Sequence, residues 1–331
     1  MKEIDLRKKK IVYIGPVSFH YDKFIINKMA DRGAIITSYD LMGLIPDSLG
    51  ARIINKLQPQ NKEKKIQDFY HRVLLKGGHD YVLIRHGYFF DESFLVKLKE
   101  INPAARFIFF HWDSLRAEYN YLPLIKYFDK IFSFDVKDAQ NNELINYLPL
   151  FYLDIYADFR KKDTEGFNQK KYDLLFIGAW RNTERLNLIT LTETLCEKAQ
   201  LRFYHYLYHP LARQIASIRK GVIPRKARSK SLSHEEILRL FSTTNTVIDF
   251  PSSFQTGLTI RTFETLAAGK KLITTNKNII NEPFFNPEYI NIIDIDNFKL
   301  DIDFIKKVPV SSMEETMKNY SIGNYINKLF Q

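Results

Sequence analysis

The sequence predicts an α/β protein made of two Rossmann-like, doubly wound parallel-sheet domains facing each other across a cleft. Three observations carry this expectation. Short apolar, β-branched runs alternate with amphipathic helical stretches, the pattern of a parallel sheet covered on both faces. The alternation pauses at a polar, charged stretch, residues 159–171, and then restarts. The 331 residues also exceed the roughly 250–300 at which a single core stops growing. The expected organisation is an N-terminal domain over 1–158, a linker over 159–171, a C-terminal domain over 172–310, and a C-terminal helix over 311–331 placed to pack back on the first domain.

In chain order, Lys10–Ile14 reads as a strand, Asp22–Arg32 as a helix closed by Gly33, and Ala34–Tyr39 as a second strand. A charged helix over Asn61–Lys76 ends at Gly77-Gly78. Tyr81–Ile84, Arg106–Phe110 and Lys130–Phe134 are further buried strands, with helices over Ser93–Glu100 and Leu115–Phe128 between them. The second half repeats the alternation: strand Tyr172–Ile177, helix Thr183–Lys198, strand Leu201–Tyr206 and a basic loop. A helix then opens at the capping box Ser233/Glu236. Strands Thr246–Asp249, Lys271–Thr275 and Ile290–Ile293 follow, with a last helix near Met313–Leu329.

Hydrophobic content of 45% and aromatic content of 14% suffice for packed cores and exclude a disordered chain. The single cysteine, Cys196, excludes an internal disulfide and a cysteine zinc cluster, so a cytoplasmic compartment is expected. The N-terminus lacks the apolar core of a signal peptide, and nowhere are there the 18 or so consecutive apolar residues of a membrane span. The net charge of +11 calls for an anionic partner. Part of it sits between Arg213 and Lys230, where Arg225, Lys226 and Arg228 lie among other cations and no acid. A solvated loop is one reading of this run. An anionic membrane surface, reached from the cytoplasmic face, is the other. Nucleic acid is disfavoured, because no aromatic residues interleave the run.

Polar clusters follow the strands: 15–21, 85–87 and 111–114 in the first half, 178–181, 252–257 and 274–276 in the second. In open α/β sheets ligands bind beyond the carboxyl ends of the strands, so these clusters are expected to line a site for a polar ligand. The glycines after the first strands stand alone (Gly15, Gly178), so the dinucleotide fingerprint is absent, as are the Walker lysine motif and the G-x-S-x-G elbow. His20, His86 and His111 each follow a strand, and Asp294-x-Asp296 and Asp301-x-Asp303 read as exposed alternation, so no metal is expected.

The stretch from Val247 to Asn276 is the most informative: a buried strand, a polar loop, a helix capped by Thr259 and stopped at Gly269, and a second strand. The loop delivers its backbone to a helix N-terminus, a ready anion site. Arg261 lies in the first turn, where a cation works against the helix dipole but suits a phosphate. Glu264, one turn on, is placed to accept two ribose hydroxyls. The competing reading is a solvated Arg261–Glu264 salt bridge.

Gln255-Thr-Gly-Leu-Thr-Ile-Arg-Thr-Phe-Glu264-Thr-Leu-Ala-Ala-Gly-Lys-Lys-Leu-Ile-Thr274 resembles the donor-binding motif of group 1 glycosyltransferases of the GT-B fold. It is most similar to the branch found in bacterial lipopolysaccharide and capsule biosynthesis and to spore-maturation-like relatives. His111-Trp-Asp-Ser114 and Phe128–Asp135, leading to Tyr147–Tyr152, look like first-half segments of that branch. The superfamily pattern of two glutamates is met only at Glu264, since the position of the first is Thr256.

The resemblance implies transfer of a sugar from a nucleotide-sugar donor to a glycan or lipid-linked glycan acceptor, with no metal or other cofactor. It implies a diphosphate site formed by Gly178, Arg181, Gln255, Gly257, Thr259 and Arg261, with Glu264, Thr275 and Asn276 completing the donor pocket. If the reaction inverts configuration, the base is expected to be Asp113, with His20 second. Helix capping before Leu115 is the competing role for Asp113. If the reaction retains configuration, His111 is placed to contact the donor sugar. The alternative is a non-catalytic nucleotide-sugar-binding or structural relative, which Thr256 keeps open.

Overall fold

The computed structural model describes residues 3–17, 20–44, 59–86, 90–115, 121–163, 170–219, 221–222, 226–252 and 254–331. The chain forms two compact units, Met1–Pro149 with Ile322–Gln331, and Leu150–Ser321.

The first unit contains β1 (Lys10–Gly15), α1 (His20–Asp31), β2 (Ile35–Asp40), α2 (Pro59–Leu74), β3 (Tyr81–Arg85), α3 (Glu92–Glu100), β4 (Arg106–His111), β5 (Lys130–Ser133), α4 (Val136–Asn141) and β6 (Ile145–Tyr147). Its strands are all parallel, in the order β2-β1-β3-β4-β5-β6. The order reverses between β1 and β3, which makes the crevice beyond their carboxyl ends the switch point. The central strands are buried on both faces (Ile11–Ile14, Val82–Ile84, Phe107–Phe110), which is why they read as unbroken apolar runs. The C-terminal helix Ile322–Phe330 belongs to this unit. Its Asn327 Oδ1 accepts from the Ile4 amide and from Arg32 Nη1, both at 3.0 Å.

The second unit contains α5 (Asp154–Lys162), β7 (Leu174–Ala179), α6 (Thr183–Lys198), β8 (Phe203–Tyr208), α7 (Leu211–Arg219), β9 (Ala227–Arg228), α8 (His234–Ser242), β10 (Thr246–Asp249), α9 (Ile260–Ala267), β11 (Lys271–Thr274), β12 (Ile290–Ile292), α10 (Ile302–Lys306) and α11 (Glu314–Met317). The parallel order is β12-β11-β10-β7-β8-β9, the Rossmann arrangement, with its switch point between β7 and β10. The buried Lys271 ammonium donates to the carbonyls of Phe304, Ile305 and Lys307 and so closes the end of α10.

Three expectations are corrected. The stretch from 159 is not a linker at its start, because Phe159–Lys162 form the last turn of α5, where three basic residues suit the dipole. Asp163 is then shared by the buried ammonium groups of Lys170 and Lys270, which ties the stretch into the second unit; residues 164–169 lie outside the described residues. Of the helix expected over Leu115–Phe128, residues 116–120 lie outside the described residues, and the described part is a 3-10 segment over Leu122–Tyr127, with Pro123, which has no amide to donate, at its start. The last helix is broken. Ser321 is extended (ψ 153°) and bridges Tyr152 where the chain passes between the units.

Candidate functional site

In the second unit the switch point is closed by a residue the sequence reading overlooked. Arg185, in the first turn of α6, is mostly buried. Its Nη1 donates to Ala179 O at 2.8 Å, and its Nη2 donates to Phe250 O. One guanidinium thus ties the ends of β7 and β10 together. Burial lowers its pKa, and the Asp249 carboxylate opposes this. A cation in the first turn of a helix was the available signal, the same one that singled out Arg261.

The expected donor residues fall around this point. Asn276, buried, donates from Nδ2 to Thr256 O and Gly257 O, both at 3.1 Å, and so shapes the loop before α9. Thr259 occupies the cap position but makes no side-chain cap bond; its hydroxyl donates to Asp249 Oδ2 instead. Gln255 and Thr275 are half-buried, and Gly257 is buried. Arg261 Nη1 pairs with Glu264 Oε2 at 2.7 Å, so the salt bridge exists but is buried rather than solvated. Glu264 is fully buried beside Tyr156, whose hydroxyl is pushed far up by burial and by that carboxylate. Gly178 has a packing reason: a Cβ there would lie 2.7 Å from the Phe176 ring, which stacks on Phe250.

Arg181 is exposed and, with Trp180, His209, Arg213, Ala216 and Ser217, lines a cavity of about 210 Å³ beyond β7 and β8. Trp180 and His209 stack at 5.3 Å. His209 is buried; its Nε2 meets Ser217 Oγ at 3.2 Å, and its Nδ1 has no hydrogen-bond partner among the described residues. Of the basic run, Arg225 lies outside the described residues. Lys226 pairs with Glu193, and the Arg228 guanidinium lies over Tyr206 at 4.8 Å.

In the first unit the switch point holds a buried polar network. Arg85, at the end of β3, makes two hydrogen bonds of 2.6 Å to the two carboxylate oxygens of Asp22 in α1. Tyr13 donates to the same carboxylate. The guanidinium lies over Trp112 at 4.2 Å, and Trp112 Nε1 donates to Tyr325 OH at 2.9 Å. Arg85 Nη1 meets His86 Nε2 at 2.9 Å, His86 Nδ1 meets His111 Nε2 at 3.2 Å, and His111 Nδ1 meets the Asp113 carbonyl. His86 is a non-glycine residue in the left-handed region (φ 70°), a conformation retained only where surroundings hold it. The Asp113 side chain keeps 41% of its surface exposed. The Leu115 amide is taken by Asp138 at 3.0 Å, and residues 116–120 lie outside the described residues. His20 opens α1, and its side chain lies outside the described residues.

Burial lowers the pKa of both His86 and His111, and the Arg85 charge adds to the effect. The unfolded chain gains these protons below the ordinary histidine value of 6.5, whereas the folded one resists them. Stability is therefore expected to fall as pH drops below that value, by up to ~1.4 kcal/mol per pH unit for each histidine. Urea unfolding at about pH 7.5 and about pH 5.5 checks this, since His111→Asn should flatten the slope.

Among the described residues, His86, His111 and Asp113 are the one group whose side chains converge like metal ligands, with one ligand atom each within 4.8 Å of one another. No helix among the described residues is long and apolar enough to cross a membrane.

No protein-family model matches the sequence, and no curated protein does either. Solved structures do match in fold. A UDP-N-acetylglucosamine 2-epimerase, so described provisionally, from Listeria monocytogenes has a TM-score of 0.51 at 11% identity over 98% of this chain and 95% of its own. An alpha-glucosyltransferase bound to UDP and DNA has a TM-score of 0.53 at 13% identity over 98% and 95%. The catalytic domain of starch synthase IV from Arabidopsis thaliana, bound to ADP and acarbose, has a TM-score of 0.53 at 10% identity over 98% and 100%. At these identities the likeness shows the fold, two Rossmann-like domains of the GT-B class.

Proposed function

We propose that this protein is a nucleotide-sugar-dependent glycosyltransferase acting, without a metal, on a cell-surface glycan or glycolipid of the lipopolysaccharide or capsule kind. The observation that carries the reading is the second unit's switch point. There Arg185 ties β7 to β10, the Asn276-braced loop leads into the start of α9, and Arg181 and Arg261 stand on either side in sequence. Departure of the nucleotide leaves negative charge on its diphosphate, and preorganised cations with helix amides stabilise that charge. The loop residues Gln255, Gly257 and Thr259, with Thr275, supply further donors. Gly178 lets the backbone approach. Glu264 first holds Arg261 in place; contact with ribose hydroxyls requires that pair to open. The cavity with the buried, unpartnered His209 nitrogen lies beside Arg181, where the rest of a nucleotide would extend. In the first unit, Asp113 takes the acceptor proton, with His20 as the second candidate.

A thermal-shift panel of UDP-, GDP-, TDP- and CMP-sugars tests the donor part. One class is expected to raise the melting temperature by mass action, and Arg261→Ala to abolish the rise. Silence across the panel would sink the reading. Hydrolysis or transfer of the stabilising donor then separates a transferase from a binding protein or an epimerase.

The membrane contact gains support from α7. Leu211, Ile215 and Ile218 repeat at helical spacing and are 62%, 41% and 55% exposed, with Arg219 flanking the stripe and the basic run following. Three side chains are far too few for a protein interface of roughly 800 Å² per partner, and two copies of this face would repel. An apolar stripe flanked by cations suits an anionic bilayer. Co-sedimentation is expected with phosphatidylglycerol vesicles and not with phosphatidylcholine ones, and Ile215→Asp should weaken it at least tenfold. Binding unchanged in that variant would exclude the helix from the contact.

A further inference from the structure

Accessibility separates the two members of the Arg261–Glu264 pair. Their ion pair spans 2.7 Å, yet Glu264 has none of its side chain exposed, whereas Arg261 keeps 13%. A ligand arriving at the start of α9 therefore meets the guanidinium and not the carboxylate. Residues from two other helices close the pair from within. The Arg261 guanidinium lies over the Phe241 ring of α8 at 5.6 Å, a cation–π distance. The ring of Tyr156 in α5, itself fully buried, packs on the same phenyl ring at 5.8 Å. The Tyr156 hydroxyl interacts with both charged groups, and it lies 3.2 Å from Nδ1 of His234. A hydroxyl suits this place because it can donate to a carboxylate and accept from a guanidinium at once. Burial and the Glu264 charge together hold the proton on the phenol.

We propose that Tyr156 is a positioning residue that keeps the Arg261–Glu264 pair closed, so that Arg261 alone meets the donor and Glu264 takes no part in reading the ribose. Opening the pair would strip a fully buried carboxylate of its counter-charge in exchange for bonds to neutral hydroxyls, which return less. What the closed arrangement gains is preorganisation. The guanidinium is held before the diphosphate arrives, so the cost of ordering it does not fall on binding. The contact between Arg261 and a donor rests on the proposed transfer reaction. The closure of the pair does not.

The closed pair bears on which donors the site takes. A carboxylate that accepted from both ribose hydroxyls would reject a sugar lacking the 2′-hydroxyl. With Glu264 turned to Arg261, that ground for rejection is gone, and donors built on 2′-deoxyribose, TDP-sugars among them, stand level with UDP-sugars as far as Glu264 is concerned.

The test begins with wild-type protein labelled with 15N-arginine. A closed pair hinders rotation of the guanidinium and should give separate Nη signals for Arg261, assigned by their loss in Arg261→Lys. One averaged signal overturns the proposal. Tyr156→Phe keeps the ring on Phe241 and removes only the hydroxyl, so the Arg261 signals should merge. Signals identical to those of wild type overturn the role of Tyr156, as does release in His234→Ala alone. If Tyr156→Phe does not fold, the wild-type spectrum still decides closure. Calorimetric titration with UDP and 2′-deoxy-UDP, or with the matching pair for the base that stabilises the protein, reads the ligand side. Tyr156→Phe should weaken the diphosphate about tenfold, the scale of one hydrogen bond to a charged group, and an unchanged affinity overturns the role. The ratio of ribo to 2′-deoxy affinity should be the same in Glu264→Gln as in wild type, and a preference for ribose that vanishes in that variant overturns the proposal. Silence toward every nucleotide would sink the transferase reading and leave the arginine spectra standing.

Discussion

Asp22→Ala is expected to lower the free energy of unfolding by roughly 3–5 kcal/mol, the cost of leaving a buried charge without its partner. Asp22 is fully buried and Arg85 is 4% exposed. The carboxylate also accepts from Tyr13, so the truncation strands a phenol hydroxyl along with the guanidinium. The pair joins α1 to the end of β3 across the reversal of strand order. Urea unfolding of wild type, Asp22→Ala and Asp22→Asn would measure this. Asn keeps one acceptor and should fall between the other two. A loss below about 1 kcal/mol in the alanine variant would mean that water reaches the guanidinium and the network is not the closed unit described above.

The parts of the fold that were legible in the sequence are those whose burial is two-sided. Ile11–Ile14 and Leu174–Ile177 are apolar throughout because helices cover both faces, so composition alone marks them. The edge strands β6 and β9 are three and two residues long, too short for any period to show. Helices α5 and α7 were hidden in charged stretches, since their order comes from what they pack on. For α5 that anchor is the Asp163 pair with Lys170 and Lys270, and the last of these lies far along the chain. The break at Ser321 belongs to the passage between units, a tertiary event with no local signature.

The site divides in the same way. His111, Asp113, Arg181 and Arg261 stood out because each follows a strand or opposes a helix dipole, both local properties. What each one touches was not local. Asp113 precedes Leu115 at a capping distance, yet the Leu115 amide is held by Asp138. Thr259 stands at the cap position, yet its hydroxyl answers to Asp249. The network that includes Tyr13, Asp22, Arg85 and Tyr325 draws on both ends of the chain, so only the folded topology assembles it.

If sugar transfer with inversion is the reaction, Asp113→Asn should reduce kcat by about 10²–10⁴, the range for loss of a positioned general base. Asparagine is nearly isosteric and keeps the backbone carbonyl that His111 Nδ1 meets, so only proton acceptance is lost. Donor binding is assigned to residues of the other unit, so the melting-temperature rise with the stabilising nucleotide-sugar should be the same in Asp113→Asn as in wild type. The two measurements on one variant separate the possibilities. Lost turnover with an intact shift assigns the base. A lost shift would place Asp113 at the donor instead, and full turnover would pass the role to His20 or point to a retaining reaction that needs no base on this side.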